Sequence, residues 1–166
     1  MEISTWQDVR TGIGFDVHAF AKGRKLILGG IEIPYEKGLA GHSDADAVLH
    51  AITDALLGSL ALGDIGKHFP DSDNKYKNAD STFFLTEAYK LVKEKDYSLS
   101  NVDVVIALEK PKLSDYIERM REKIVSILQV EMEQVSIKAT TTERLGFVGR
   151  EEGIEAFATV TVVKRS

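Results

Sequence analysis

The chain has 166 residues, with Lys+Arg 21 against Asp+Glu 26 for a net charge of −5, and 43% of its residues are hydrophobic. These values fit one folded globular domain, and an acidic balance with no basic stripe argues against nucleic acid as the main ligand. Because it contains no cysteine, disulfides, thiolate nucleophiles and cysteine–metal centres are excluded, any metal must use His, Asp or Glu, and a reducing cytoplasmic setting is expected.

No apolar run reaches the ~18 residues of a membrane span, since Asp54 and Asp64 bracket the longest candidate, so no membrane partner is expected. The opening MEISTWQDVR has no apolar core of the signal-peptide kind, and a plastid presequence removed upstream is left open. From Arg10 to Phe20, Ile13, Phe15, Val17 and Ala19 alternate with Gly12, Gly14, Asp16 and His18, which predicts a strand with one apolar face. Asp16 and His18 then project from the same side, roughly 6.6 Å apart along the strand. Lys25 to Leu28 and Ile31 to Ile33, separated by Gly29-Gly30, read as a hairpin. Ser43, followed three residues later by Asp46, opens a helix with a stripe of Val48, Leu49, Ile52, Leu56 and Leu60, ended by Gly63. On it, Asp46, His50 and Asp54 share one face off that stripe. Asp64 to Asn78 reads as a loop long enough to invite a functional role.

A second helix is predicted over Ser81 to Lys95, a central strand over Asn101 to Glu109, and a third helix from Ser114 to about Leu128. Strands follow at Val135 to Thr140 and Ile154 to Val163, joined by a polar segment from Thr141 to Gly153. The expected fold is α+β: a single domain over residues 10–166 after an extension of nine residues, with a mixed sheet covered by helices in ferredoxin-like topology.

Asp16-x-His18 offers two metal ligands on one strand face, and a helical His50 packed across it completes three, with an open position suited to catalysis. The plainer alternative is that these histidines are surface or core residues. Asp46 and Asp54, one helical turn either side of His50, are candidates to orient its ring, or simply a solvated face. Thr140, Thr141, Thr142 and Glu143 end a strand where hydroxyls and N–H groups can cradle phosphate and Glu143 can meet a hard cation; a threonine run also serves strand formation alone. Arg150 can pair with phosphate or stand exposed among acids. The loop Gly63 to Asp73 suits a polyhydroxylated ligand, a calcium ion or plain solvation.

Together, GIGFDVHAF, GHSDADAVLHAITDALLGSLALGDIGKHFPDSD and IKATTTERLGFVGREEGI resemble the 2-C-methyl-D-erythritol 2,4-cyclodiphosphate synthase family of the non-mevalonate isoprenoid pathway, from about Arg10 to Val163. The resemblance implies a homotrimer whose sheets face a threefold axis, with active sites between neighbouring subunits. It implies cyclisation of 4-diphosphocytidyl-2-C-methyl-D-erythritol 2-phosphate with release of CMP, a phosphorus–oxygen lyase reaction. By the same match, Asp16, His18 and His50 are zinc ligands, and Glu143 holds a second ion, magnesium or manganese. His42 and Thr141 take positions that stabilise the transition state.

The match also assigns substrate contacts. Asp16 and His18 are among them; His42 and Ser43, then Asp64, Ile65 and Gly66, then Phe69, Asp71 and Asp73 fall where the family holds the methylerythritol phosphate. Leu108, Pro111, Lys112, Leu113 and Ser114 with Ala139, Thr140 and Thr141 fall at the cytidine and diphosphate end, and Thr142 and Glu143 are further substrate contacts. Phe147 and Arg150 fall near a central cavity of the trimer, implying an isoprenoid diphosphate there. Two other readings stay open: a zinc hydrolase with water at the open metal position, and a trimeric binding module whose metal is closed by His42 or His68 as a fourth ligand.

Overall fold

Alternation along β1 (Val9–Lys22) gives the sheet two faces of different character. The computed structural model describes residues 8–70, 72–77 and 79–165. On one face Gly12 and Gly14 leave bare backbone, and α1 (Ala47–Ser59) lies against it so closely that a β-carbon at either position would collide with the carbonyl oxygens of Ala55 and Ala51. The contacts run antiparallel, Gly12 against Ala55 and Gly14 against Ala51. The next two residues on that face, Asp16 and His18, therefore come opposite the N-terminal turns of the helix. The other face carries Ile13, Phe15 and Val17 at 70%, 48% and 40% exposure, so the apolar side of this strand is left open.

The main sheet runs β4-β1-β7-β5-β6, where β4 is Lys37–Leu39, β5 Tyr97–Ala107, β6 Val135–Thr140 and β7 Gly153–Lys164. β1 pairs antiparallel with β7 in a register that sets Phe15 against Phe157 and His18 against Ile154. β5 sits between an antiparallel β7 and a parallel β6, the central place that its apolar run predicts. A crossover through α4 (Ile117–Leu128) joins the parallel pair, burying Met120, Ile124 and Leu128 at helical spacing. The fold is thus mixed α+β, but the ferredoxin-like expectation is corrected. That topology has the element order βαββαβ, whereas here two helix-connected strands precede the final β6–β7 pair and one neighbouring pair is parallel.

β2 (Leu26–Leu28) and β3 (Ile31–Ile33) form the predicted hairpin, with Gly29 and Gly30 at φ 59° and 76°, a left-handed pair that glycine adopts without strain. α1 is sheathed on nearly every side, between the sheet and α3 (Ser81–Glu94); Val48, Leu49, Ile52, Leu56 and Leu57 have no exposure. Its N-cap is Asp46, not Ser43, and it closes at Ser59, ahead of Gly63. The presumed loop after it holds a short helix α2 (Ile65–His68) and a 3-10 turn at Asn74–Tyr76, and the segment before β7 holds α5 (Gly146–Gly149). No helix among the described residues is long and apolar enough to cross a membrane. Seven of the nine residues expected as an N-terminal extension lie outside the described residues, and so does Asp71.

Candidate active site

The strand-to-helix approach at Gly12 and Gly14 brings three donors to one point. Oδ2 of Asp16 lies 2.9 Å from Nε2 of His18 and 3.1 Å from Nδ1 of His50, and the two ring nitrogens are 3.5 Å apart. All three donor atoms fall within 4.8 Å of one another, a spacing that can hold a metal ion. The donor set, two imidazole nitrogens and a carboxylate oxygen, is one that zinc accepts, and three protein ligands leave a coordination position for another molecule. His18 donates from Nδ1 to the Ala40 carbonyl at 2.6 Å, which leaves Nε2 as the nitrogen facing the cluster. Burial opposes charge on both groups. Their mutual hydrogen bond and attraction prevail, so the Asp16 carboxyl is held below its ordinary value and the His18 imidazole is raised above its own.

The cluster opens into a cavity of about 250 Å³ that also gathers His42, Ser43, Ile65, Gly66 and Phe69. Gly41, Tyr76 and Phe84 complete its wall. Tyr76 and Phe84 belong to an aromatic cluster in which Phe84 and Phe69 stand 5.0 Å apart, a contact no local periodicity could announce. His42 is among the residues lining this cavity, and its Nε2 is buried with no hydrogen-bond partner among the described residues. The loop bearing it is tied down by Arg24, whose guanidinium donates to the Ser43 carbonyl at 2.7 Å.

Other predicted residues lie elsewhere. Asp64 caps α2, accepting from the Lys67 N–H at 2.9 Å, and Asp73 caps the following 3-10 turn and pairs with Lys75. His68 bonds the Leu62 carbonyl through Nε2, so that nitrogen is already spent, and the metal-capable cluster among the described residues has three donors with neither His42 nor His68 as a fourth. Asp46 and Asp54 do not orient the His50 ring. Asp46 is buried and accepts from the N–H groups of Gly29, Gly30 and Leu49, while burial pushes its pKa up to about 6. Asp54 accepts from the Ile65 N–H at 2.7 Å. Helix spacing alone placed them one turn from His50; competing backbone donors claimed both.

A second cavity, about 300 Å³, is lined by Leu108, Pro111, Lys112, Leu113 and Ser114 on one side and Ala139, Thr140 and Thr141 on the other, together with Glu109 and Ile117. Its walls are the ends of the parallel strands β5 and β6, a usual place for ligands in such sheets. Beyond it, Glu143 and Arg144 take positive φ of 54° and 64°. The turn is held by Glu109, whose Oε1 accepts from the N–H groups of Thr142 at 3.0 Å and Arg144 at 3.2 Å. Glu143 itself is exposed, with its Oε1 3.5 Å from the Thr141 hydroxyl. Arg150 pairs with Glu152 through two bonds of 3.0 and 3.2 Å, and neither it nor Phe147 lines either cavity. Within one chain the His42 cavity and the Thr141 cavity share no lining residue.

A sequence model described as the YgbB family matches residues 9–163. A 2-C-methyl-D-erythritol 2,4-cyclodiphosphate synthase of Alkaliphilus metalliredigens is 59% identical over 154 residues, covering 93% of this chain and 97% of that protein. One of Lysinibacillus sphaericus with the same name is 57% identical, covering 94% and 99%. Among solved structures, the bifunctional IspDF from Campylobacter jejuni superposes with a TM-score of 0.91 at 43% identity, over 94% of this chain and 42% of that one. IspF of Plasmodium falciparum in complex with CDP gives a TM-score of 0.85 at 32% identity, over 98% and 100%.

Proposed function

The chain belongs to the YgbB family, and from that membership and the geometry of the two cavities we infer that it is a metal-dependent 2-C-methyl-D-erythritol 2,4-cyclodiphosphate synthase. It cyclises 4-diphosphocytidyl-2-C-methyl-D-erythritol 2-phosphate in the non-mevalonate route to isoprenoid precursors, as a phosphorus–oxygen lyase. The observation that carries this reading is the convergence of Asp16, His18 and His50 beside the unpartnered Nε2 of His42.

In the reaction an oxygen of the 2-phosphate bonds to the β-phosphorus of the diphosphate while the bond from that phosphorus to the CMP oxygen breaks. CMP leaves with the electron pair, and no water is consumed. Asp16, His18 and His50 would hold zinc and Glu143 magnesium or manganese, cations that supply neutralisation of the two mutually repelling phosphates and of the charge on the leaving group. His42 and Thr141 are read as the side chains that meet the developing phosphoryl charge through their Nε2 and hydroxyl. Ser43, Ile65, Gly66 and Phe69, with Asp64, Asp71 and Asp73 from the same segment, would shape the methylerythritol end. The second cavity would take the cytidine, its small Ala139 and Thr140 wall leaving width for a base; the CDP bound to the Plasmodium falciparum relative supports a cytidine diphosphate ligand. Glu109 braces the turn that presents Thr141, Thr142 and Glu143.

A cytidine diphosphate substrate must span both cavities, and within one chain these are separate. With the open apolar face of Ile13, Phe15, Val17 and Phe157, this supports a homotrimer in which neighbouring subunits complete each site. An isoprenoid diphosphate in its central cavity would meet Phe147 and Arg150, the latter exchanging Glu152 for phosphate. Residues 10–166 are read as the single catalytic domain, and its absence of cysteine supports a bacterial cytoplasmic setting.

Product identification tests the reading. The purified chain, supplied with zinc and magnesium, is incubated with the cytidine substrate in ¹⁸O-labelled water and analysed by mass spectrometry. Equimolar CMP and a cyclic diphosphate without label are expected; labelled phosphate or a hydrolysed ester would make it a hydrolase instead.

A further inference from the structure

His50 presents Nδ1 to Asp16 and His18, so its second nitrogen, Nε2, points back into the protein. There it lies 2.9 Å from the hydroxyl of Ser81, the first residue of α3, which has no solvent exposure. The Ser81 hydroxyl in turn donates to Oδ1 of Asp44 in a short hydrogen bond, and Oδ2 of Asp44 accepts from the Ser81 backbone N–H at 3.1 Å. Oδ1 also accepts from the Asp46 N–H at 3.2 Å. The carboxylate is thus fixed at both oxygens.

We propose that Ser81 and Asp44 are positioning residues that set the tautomer and strengthen the metal-binding nitrogen of His50, through an unbroken line from carboxylate to hydroxyl to imidazole. The inference rests on the metal-dependent reading of the Asp16–His18–His50 cluster and deepens it.

Proton accounting carries it. A serine hydroxyl has one proton, and here it is directed at Asp44, so Ser81 Oγ can only accept from His50. At 2.9 Å, Nε2 must therefore carry the ring proton; without it two lone pairs would face each other. Nδ1, 3.1 Å from Oδ2 of Asp16, is then the nitrogen that a cation shared with that carboxylate would take in place of a proton. Ser43 Oγ, 3.3 Å from the same Nε2, accepts from the Ala45 N–H at 3.1 Å and offers the ring proton a second, weaker acceptor. The negative charge on Asp44, passed through the hydroxyl, raises the donor strength of Nδ1, as carboxylates behind ligating histidines do. The line also crosses three segments: the loop before α1, α1 itself and the start of α3. It fixes the ring against rotation by the same bonds that dock α3.

Zinc affinity of the substrate-free chain, measured by competition with a chromophoric chelator, tests this, with ¹⁵N-histidine NMR reading the ring tautomer. Ser81→Ala deletes the relay at a helix start where alanine is tolerated. Asp44→Asn keeps an acceptor for the Ser81 N–H and serves if the first variant fails to fold. The expected result is zinc affinity 10–100-fold weaker in either variant. The wild-type His50 is expected as the Nε2–H tautomer, with the Nδ1–H form gaining population in Asp44→Asn. Folded variants that bind zinc within twofold of wild type, or an Nδ1–H tautomer in the wild type, overturn the relay while leaving the metal site standing. A wild-type chain that binds no zinc overturns both.

Discussion

Oδ2 of Asp16 and Nε2 of His18, two residues apart on one strand, face each other at 2.9 Å. In the metal-free protein this is an ion pair whose charges each lean on the other. Burial disfavours charge on both, yet the bond between them raises the His18 pKa and lowers that of Asp16. A raised histidine stabilises the fold fully below its unfolded value of 6.5 and loses that contribution as pH climbs through the higher folded value. A lowered carboxylate contributes above 3.8 and loses its share as pH falls through the folded value. The pair therefore supports the metal-free fold most between about 3.8 and 6.5. Urea unfolding of the chelated protein at pH 6 and pH 8.5 should show a loss at the higher pH that is absent in His18→Gln. An equal pH effect in both proteins would remove the pair as its cause.

Zinc must displace the His18 proton, so metal affinity is expected to rise with pH over the range in which the apo fold loses this support. Removing the ion with a chelator is expected to stop CMP release, and zinc should restore it. His50→Ala should lower turnover by at least about 100-fold even in excess zinc, because two donors from one strand cannot close the site. Its far-ultraviolet circular dichroism and its sedimentation should match those of the wild type, since the ring lies off the buried stripe of α1. Turnover close to wild type in that variant would take His50 out of the site.

Much of this was legible in the strand-and-helix pattern. The two-residue alternation in β1 placed Asp16 and His18 on one face, and the helical period of α1 placed His50 on a face able to meet them. What the pattern could not say was how far along each other the two elements slide. That register is set by Gly12 and Gly14 against Ala55 and Ala51, a contact between residues some 40 positions apart. The same limit explains Asp46 and Asp54. Their spacing to His50 is right, but Asp46 is claimed by the hairpin turn and Asp54 by the start of α2, while the acceptor behind His50 comes from Ser81 on another helix. β4 escaped because three residues carry no period, and it forms only by pairing with the end of β1.

The glycine contact makes its own prediction. In Gly14→Ala the new methyl would strike the Ala51 carbonyl, which is helix backbone and cannot rotate away, so α1 must shift outward. The expected cost is about 3 kcal/mol of stability, read from denaturant unfolding. Because the shift also draws His50 away from Asp16, zinc affinity should fall with it. A variant as stable as the wild type would mean that strand and helix can separate freely, and would undo the packing account of the site.

The open face of the sheet gives the last prediction. Phe15 and Phe157 are paired in register with ring centroids 4.7 Å apart, and each keeps 40% or more of its surface exposed beside Ile13 and Val17. An apolar patch of this size on a chain with net charge −5 calls for a cover, and in the proposed trimer a second and third copy of the same face would supply it. In Phe15→Asp three carboxylates would be brought together wherever three copies meet, with no partner on the same face of β1 or β7 to neutralise them. Sedimentation should show the wild type as a trimer and the variant as monomer, with the fold retained because Phe15 touches none of the buried core. Turnover should fall with assembly, since the His42 cavity and the Thr141 cavity would no longer be joined across a subunit boundary, while zinc binding by Asp16, His18 and His50 of the single chain persists. A monomeric variant with full activity would show that one chain brings its two cavities together unaided.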